Sequence, residues 1–362
     1  MTLPNSRPRV LIVGNFLSKY GSSRQVCEEL ALKLQEANYQ VTTTSNRRAR
    51  LSRLKDVLSV IWKKRHEYDV AQVDVFSGPA FFLSAAAVRL LKQIGKPFVL
   101  TLHGGGLPDY ARKRPKSVSA ILRSAAAVTV PSRYLLKEME PYRPDLILLP
   151  NALSVDAYGF RQRNPLSPSL VWLRSFHHIY APIQVPRVVA LLKDEFPDMR
   201  VTMVGADKGD GSLAETVSEA KTLGVSELIQ FSGPVAKSEV PAILNGGDIF
   251  LNTTTLDNTP VSVLEALASG ACVVSTNVGG IPYLLENERQ ALLVPPDDAT
   301  AMARAVQRLL TEPSLAQTLQ QAGREFVEDF DWSSVLPRWH NLFEMANRGK
   351  APHQHAAAAL PQ

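Results

Sequence analysis

The chain has 362 residues, of which 45% are hydrophobic and 20% are charged, and its formal charge is +6. No apolar run reaches the roughly 18–20 residues of a membrane-spanning helix, because Arg89 and Lys92 interrupt the best candidate, 80–94. The polar start of the sequence also lacks the apolar stretch of a signal peptide. We therefore expect neither a membrane-spanning nor a secreted protein, and we predict a cytoplasmic location.

The charge is unevenly distributed along the chain. Residues 1–165 hold 26 Lys/Arg against 12 Asp/Glu, or about +14, and the remainder holds 14 against 22, or about −8. A length of 362 residues also exceeds the roughly 250–300 residues at which single hydrophobic cores stop growing. The sequence thus predicts two domains, a basic one and an acidic one.

The two cysteines, Cys27 and Cys272, lie far apart within predicted helix or strand segments. Free cysteine in such a segment behaves as a small apolar residue. We therefore favour two buried thiols over a disulfide or a metal site.

Short apolar strands alternate with helices in the first part of the chain. The predicted strands are 9–14, 40–44, 70–75, 97–102, 127–130 and 146–149, with helices at 22–37, 79–94 and 116–124. This alternation is typical of a parallel sheet that is covered by helices on both faces.

The alternation stops at 161–168, which is polar and rich in proline, and we interpret this stretch as the linker. It then resumes with strands 169–173, 200–205, 228–231, 247–251 and 271–275 and helices 182–195, 212–223, 238–245, 260–269 and 299–311. The predicted fold class is α/β with two Rossmann-like domains, at 1–165 and 166–347. The last helix could pack back on the first domain, and 348–362 is expected to be a flexible tail.

Ligands of open α/β sheets bind at the carboxyl ends of the strands, so the segments after predicted strands are the candidate sites. The glycine-containing loop 14–23 precedes a helix and suits an anion, although a tight turn explains it equally well. It lacks the G-x-G-x-x-G spacing, which disfavours a nicotinamide dehydrogenase.

A second candidate is His103 followed by Gly104, Gly105 and Gly106 after strand 97–102. A histidine beside an open glycine backbone at a strand end favours a ligand site over a structural role. The string resembles the oxyanion element of esterases, but the sequence has no G-x-S-x-G elbow, which disfavours an esterase.

The third candidate is the polar segment 252–260, which leads into a helix with Pro260 at a position that the first helical turn tolerates. The free N–H groups of a helix start suit a diphosphate. Asp257 lies before this helix and Glu265 two turns inside it. Helix capping is the alternative role for Asp257.

Several motifs occur in one order along residues 9–345. They are Asp257-x₇-Glu265, the segment 266–274, Gly279-Gly280-Ile281-Pro282, and the segments 131–135, 149–153 and 292–295. Together they resemble the family 4 retaining glycosyltransferases of GT-B fold. The resemblance implies two Rossmann-like lobes that face each other across a cleft and a nucleotide-sugar donor.

The resemblance also implies roles for single residues. Glu265 would bind the ribose, Asp257 would lie by the transferred sugar, and His103 would lie beside the reacting sugar. Arg174 would bind the donor diphosphate, which Gly21 and Ser22 would approach from the other lobe. The segment 231–235, with Gly233 and Val235, would hold the base. The sugar hydroxyls and the diphosphate would meet the backbone of Asn258, Thr259, Pro260 and Val261.

Two positions depart from the family pattern. The family has a lysine five residues after its arginine, where this chain has Ile179, and it usually has glutamate where this chain has Asp257. His178, Tyr180 and Lys208 are the alternatives for supplying the missing charge. Arg174 alone can still bind a phosphate through two parallel hydrogen bonds.

No cofactor and no metal requirement are expected. Metal-dependent glycosyltransferases use an Asp-x-Asp string after a strand, whereas Asp329-Phe-Asp331 lies between two predicted helices. We therefore predict that Arg174 and the helix start stabilise the leaving diphosphate without a metal.

The first domain is expected to bind the acceptor, which is a saccharide or a lipid-linked sugar. It contains a basic cluster of Arg112, Lys113, Arg114 and Lys116 and a second one at 47–65. In the second cluster we expect a helix with Leu51, Leu54, Leu58 and Ile61 packed on the sheet. Anionic lipid headgroups are the leading partner for these charges, which would place the enzyme on the inner face of a membrane.

Other function classes remain open or are disfavoured. Nucleic acid is disfavoured because no recognised binding module occurs in the sequence. A GT-B-fold sugar-nucleotide epimerase and a non-catalytic nucleotide-sugar binding protein remain as alternatives to a transferase of polysaccharide or cell-envelope biosynthesis.

Overall fold

The computed structural model describes residues 7–18 and 25–349. The chain divides into two compact units, one that runs to Ala152 and resumes at Trp332, and one that spans Leu153–Asp331. The sequence placed this boundary at 165/166, thirteen residues later. The predicted tail lies outside the described residues except for its first two positions.

The first unit alternates strands and helices. Its elements are β1 (Val10–Val13), α1 (Val26–Glu36), β2 (Val41–Thr43), α2 (Arg50–Lys63), β3 (Val70–Val75), α3 (Pro79–Gln93), β4 (Phe98–Leu102), α4 (Leu107–Lys113), α5 (Pro115–Leu122), β5 (Ala127–Val130), α6 (Arg133–Met139) and β6 (Ile147–Leu148).

Among the described residues these strands form one parallel sheet with the order β2-β1-β3-β4-β5-β6. Strands β1, β3, β4 and β5 are buried along their whole length, as expected for a sheet covered on both faces. The chain changes direction of winding between β1 and β3, so ligands are expected at the carboxyl ends of these two strands.

The last helix of the chain, here called α14 (Trp332–Asn347), belongs to the first unit although it follows the second one in sequence. Val335, Trp339 and Phe343 repeat at a spacing of four and are buried in one cluster with Val10 and Ile12. This apolar stripe holds the helix on the first sheet.

The second unit follows the same pattern. Its elements are β7 (Ser169–Leu173), α7 (Gln184–Leu192), β8 (Arg200–Val204), α8 (Ser212–Thr222), β9 (Ile229–Gly233), α9 (Val240–Asn245), β10 (Ile249–Asn252), α10 (Val261–Ala268), β11 (Cys272–Thr276), α11 (Ile281–Leu284), β12 (Ala291–Val294), α12 (Ala299–Thr311) and α13 (Pro313–Glu328).

In the described part of the chain its strands form a parallel sheet with the order β12-β11-β10-β7-β8-β9. This is the strand order of a Rossmann sheet, and its winding reverses between β7 and β10. The predicted fold class of two Rossmann-like α/β units is therefore confirmed. Strand β12 and helix α13 were not predicted from the sequence.

The stretch 161–168 is anchored on the second unit and is not a free linker. Asp248, buried at the start of β10, accepts hydrogen bonds from Arg161 at 2.8 Å, from Arg163 at 3.0 Å, and from the backbone and hydroxyl of Ser167, each at 2.7 Å. Burying a charge is costly unless it is paired. These polar residues therefore fix the stretch to its own unit, which explains the shifted boundary.

Helix α2 departs from its predicted packing. Val57 and Ile61 are its buried residues, whereas the side chain of Leu51 is 76% exposed and that of Trp62 is 51% exposed. The helix therefore buries a narrower stripe than the predicted one, and Leu51 does not pack on the sheet.

Cys27 and Cys272 are buried free thiols, and burial raises the pKa of Cys272 to about 12. No helix within the described residues is long and apolar enough to cross a bilayer.

Candidate active site

The second unit brings two predicted residues together at the reversal point of its sheet, which is the place between β7 and β10 where the winding reverses. Arg174 follows β7 and Asp257 follows the neighbouring strand β10, and their side chains form an ion pair. The guanidinium carbon of Arg174 also lies 4.4 Å from the centre of the Tyr180 ring. Burial lowers the pKa of Arg174, and Tyr180 and Glu265 oppose that shift. A desolvated cation at this point attracts an anion strongly.

Two glycines hold the loop that carries Asp257. The N–H of Gly280 donates to the carbonyl of Asp257 at 2.9 Å. A Cβ atom on Gly280 would lie 1.9 Å from the carbonyl oxygen of Asn258, and one on Gly279 would lie 2.2 Å from that of Asp257. The Gly279-Gly280 pair is therefore required for the close approach of two backbone segments.

Helix α10 begins directly after this loop, with Pro260 at its N-cap. Its early N–H groups and its positive dipole end suit an anion. The hydroxyl oxygens of Thr259 and Ser262 are buried and have no hydrogen-bond partner in the described part of the chain. Asn258, Pro260 and Val261 belong to the same loop and helix N-terminus, so the residues predicted to bind the donor follow one another along the chain.

Glu265 lies in α10 and only 3% of it is exposed. Its Oε1 accepts a hydrogen bond from the Tyr158 hydroxyl at 2.8 Å and forms an ion pair with Lys237. Neither Tyr158 nor Lys237 was predicted. No sequence pattern around Tyr158 indicates a role for it, whereas Lys237 lies two residues after the segment 231–235, which was expected to hold a base.

Gly233 is the last residue of β9, and Val235 lies in the turn that follows. Gly233 has a φ of +66°, which favours glycine, and its carbonyl accepts from the N–H of Gly205 at 2.9 Å. The turn leads into the short helix Lys237–Glu239. The structure therefore connects this predicted segment to Glu265 through Lys237.

Of the three alternatives for the missing charge, Tyr180 is the one with a contact to Arg174. The backbone N–H of His178 instead donates a hydrogen bond to the carboxylate of Asp210 at 2.8 Å. That hydrogen bond lowers the pKa of Asp210. The side chain of Lys208 is exposed.

In the first unit, His103 lies directly after β4 and is buried. Its Nε2 lies 2.9 Å from Oδ1 of Asp74, and its ring stacks on Phe76 at 4.8 Å between ring centres. Asp74 belongs to the neighbouring strand β3 and also accepts from the Gln72 amide at 2.8 Å. Sequence reasoning missed Asp74, since an acid within an apolar strand has no local signal. Gly21 and Ser22 lie outside the described residues.

The cluster at 112–116 is exposed, and its charges are only partly free. Arg112 pairs with Asp109 at 2.5 Å and with Glu138 at 2.8 Å. Arg114 lies over the rings of Phe82 and Tyr110. Exposed Lys113 and Lys116 complete the cluster.

The Asp-x-Asp string has a structural role at the end of α13. Asp331 accepts a hydrogen bond from the backbone N–H of Val155 at 2.9 Å. The described residues contain no group of three or more His, Cys, Asp or Glu side chains that could hold a metal ion.

Similarity to known proteins points to one class of enzyme. Residues 169–312 match the family model of glycosyl transferases group 1. A D-inositol 3-phosphate glycosyltransferase of Corynebacterium aurimucosum is 28% identical over 177 residues, or 48% of this chain and 42% of that protein. The chain thus matches less than half the length of this curated relative. A 2-deoxystreptamine glucosyltransferase of Streptomyces kanamyceticus is 24% identical over 295 residues, 74% of each chain.

The solved structure of Anabaena Alr3699/HepE in complex with UDP has a TM-score of 0.76 to this chain. The sequence identity is 14%, and the match covers 93% of this chain and 99% of the other. Residues 169–312 therefore match the glycosyl transferases group 1, and the chain as a whole has the two-unit α/β fold of GT-B glycosyltransferases.

Proposed function

We propose that the chain is a retaining glycosyltransferase that moves a sugar from a nucleotide-sugar donor to a saccharide or lipid-linked acceptor without a metal. The observation that carries this proposal is the position of Arg174 and the start of α10 at the reversal point of the second sheet. The family match of residues 169–312 supports it. Because the structure of Anabaena HepE holds UDP, UDP-sugars are the first donors to test.

The donor site would act on the leaving group. When the bond between sugar and phosphate breaks, negative charge develops on the diphosphate, and fixed donors aimed at that charge lower the barrier. Arg174 and the N–H groups at the start of α10 are such donors. The buried hydroxyls of Thr259 and Ser262 are two more.

Binding of the diphosphate would exchange one ion pair for another. In the structure the charge of Arg174 is compensated by Asp257. A diphosphate carries more charge than one carboxylate and can accept two parallel hydrogen bonds from the guanidinium. It would therefore displace Asp257, whose carboxylate becomes available to accept a hydrogen bond from a sugar hydroxyl.

Glu265 is suited to bind the ribose. A carboxylate has about four lone-pair sites. Tyr158 and Lys237 orient the group without using all of them, so a ribose hydroxyl can be added. For the first unit we propose that His103, held by Asp74, binds a substrate hydroxyl.

Retention would follow from attack on the face that the diphosphate leaves. The new bond joins the acceptor oxygen to the anomeric carbon, the bond to the phosphate oxygen breaks, and that phosphate oxygen takes the acceptor proton. A metal is not needed if Arg174 and α10 supply the charge stabilisation.

One experiment separates this function from its alternatives. The protein is incubated with a panel of nucleotide sugars, with and without a lipid extract, and nucleoside diphosphate release is measured. A transferase needs the acceptor for fast release, an epimerase changes the donor alone, and a binding protein releases nothing. NMR of the product tests retention, and activity that is lost in EDTA and restored by Mg²⁺ or Mn²⁺ would contradict the metal-free proposal.

We also propose that the basic first unit contacts an anionic membrane surface, which would bring the enzyme to a lipid-linked acceptor. Leu51 and Trp62 lie three helical turns apart on α2 and are both exposed, with exposed Lys55 between them. Phe82, also exposed, lies in α3, which packs beside α2. Exposed apolar side chains among basic ones are typical of a helix that lies in the headgroup region.

A further inference from the structure

The side chain of Arg174 has few fixed contacts for a residue in such a central position. Its ion pair with Asp257 is one, and Tyr180 is the other, through its ring and through a side-chain hydrogen bond. Its Nε is buried and has no hydrogen-bond partner among the described residues. The orientation of the guanidinium therefore depends on one charged neighbour and one aromatic neighbour.

Tyr180 itself is held by the strand next to β7. The hydroxyl of Thr253 donates to the carbonyl of Tyr180 at 2.6 Å and accepts from the indole N–H of Trp172 at 2.9 Å. These bonds connect β7, β10 and the short helix His178–Tyr180. The backbone at Tyr180 is thereby fixed to two buried strands.

The next two threonines fix the preceding residue. The hydroxyls of Thr254 and Thr255 donate to the carbonyl of Ile179 at 3.1 and 3.0 Å, and the N–H of Thr255 donates to it at 2.8 Å. Three donors thus converge on one carbonyl. The run Thr253-Thr254-Thr255, whose sequence suggests only a polar loop, clamps the segment that carries Tyr180.

The two neighbours of Arg174 differ in what happens when an anion binds. Asp257 competes with an incoming diphosphate for the positive charge, so this contact is lost on binding. An aromatic ring attracts the cation through its face and leaves the N–H groups at the edge of the guanidinium free to donate. The contact with Tyr180 is therefore compatible with a bound anion.

From these contacts we propose that Tyr180 is the positioning residue of the donor site, which holds the guanidinium of Arg174 in place while Asp257 exchanges with the diphosphate. This inference rests on the proposed function. Tyr180, whose segment is fixed by three threonines, would keep Arg174 oriented to bind the diphosphate. This also explains how the site can bind a diphosphate although Ile179 stands where the family has a lysine.

The test compares the variants Tyr180→Leu and Tyr180→Phe by titration calorimetry. The ligands are UDP and uridine, or the matching pair from a panel of GDP, ADP, CDP and dTDP. Tyr180→Leu is expected to weaken diphosphate binding by about 10- to 30-fold, the range for a desolvated cation–π contact, and to leave nucleoside binding unchanged. Tyr180→Phe keeps the ring but loses the side-chain hydrogen bond to Arg174, and it is expected to lose less diphosphate affinity than Tyr180→Leu.

A double-mutant cycle with Arg174→Ala shows whether the effect passes through Arg174. In the Arg174→Ala background, Tyr180→Leu is expected to cause no further loss of diphosphate affinity. An equal loss in both backgrounds would overturn the proposal, and so would unchanged diphosphate binding by Tyr180→Leu. If Tyr180→Leu does not fold, Tyr180→Met replaces it in the same cycle. A wild-type protein that binds none of the five nucleoside diphosphates would instead overturn the proposed function.

Discussion

Nε2 of His103 lies 2.9 Å from Oδ1 of Asp74, and both side chains are buried at the carboxyl ends of neighbouring strands. When a histidine ring nitrogen donates to a carboxylate, the other nitrogen is left as an acceptor and the ring orientation is fixed. If Nε2 of His103 donates to Asp74, Nδ1 is the acceptor that our proposal assigns to a substrate hydroxyl.

This relationship predicts the effect of Asp74→Asn. The variant keeps the shape of the side chain but removes the charge that fixes the histidine, so we expect turnover to fall about 10- to 100-fold. Nucleotide-sugar turnover is measured beside thermal unfolding. Asp69→Asn is the matched control, because Asp69 is a carboxylate of the same unit that pairs with Arg9. Equal turnover of the two variants would contradict a role for Asp74.

Arg174→Ala removes the cation that we assign to the leaving diphosphate. Loss of a donor of this kind costs about 10²–10³-fold in turnover. Thermal unfolding is measured beside turnover, because the variant leaves the carboxylate of Asp257, whose side chain is 15% exposed, without its charged partner. The measurement is nucleoside diphosphate release under saturating donor. Arg187→Ala is the control, since Arg187 forms a surface ion pair in the same unit. Unchanged release by Arg174→Ala would exclude the assigned role.

The outward face of α2 predicts binding to anionic vesicles. We expect Leu51→Ser combined with Trp62→Ser to weaken binding to phosphatidylglycerol vesicles at least tenfold, because two exposed apolar side chains no longer enter the headgroup region. Binding is measured by vesicle co-sedimentation and is expected to decrease with added salt. Leu191→Ser serves as control, since Leu191 is 54% exposed but belongs to the second unit. No binding by the wild type at low salt would refute the membrane proposal.

Protonation of His340 is expected to make the packing of α14 on the first sheet depend on pH. Its ring stacks on Tyr39, and burial lowers its pKa below 6.5, an effect that nearby Arg7 increases and Glu344 opposes. The folded state therefore favours the neutral form of His340. The contribution of this group to the free energy of unfolding is complete above pH 6.5 and is lost as the pH falls below that value.

We expect faster amide hydrogen exchange in Trp332–Asn347 at pH 5.5 than at pH 7.5, after correction for intrinsic rates. His340→Phe keeps the stacked ring but cannot be protonated, so its α14 should respond less to pH. An identical pH response of the variant and the wild type would show that another group is responsible.

Much of the fold follows from local patterns. Buried parallel strands are apolar along their length, so the six strands of the first sheet were predicted close to their observed positions. Strand β12 has four residues and follows a polar stretch, which leaves too short a pattern to identify. Helix α13 is rich in Gln and other polar residues, and its buried face becomes apparent only when it packs on α10.

The position of the boundary between the two units could not be predicted from local sequence patterns. A polar, proline-containing stretch has the composition of a linker whether or not its charges are paired. Here Arg161 and Arg163 are paired with Asp248, more than eighty residues away in sequence, and this pairing assigns the stretch to the second unit. Composition contains no information about such a distant partner.

The sequence by itself determined the α/β class and the two sheets, because strand and helix periods are local properties. Its resemblance to a known family, and no local pattern, is what pointed to Arg174 and to the roles of Asp257 and Glu265. Only the tertiary structure decided which side chains meet. The order of the strands puts the ends of β7 and β10 side by side, and that adjacency joins Arg174 to Asp257 and brings Tyr180 onto Arg174. Strand order is set by the packing of the whole sheet, so no short stretch of sequence encodes it.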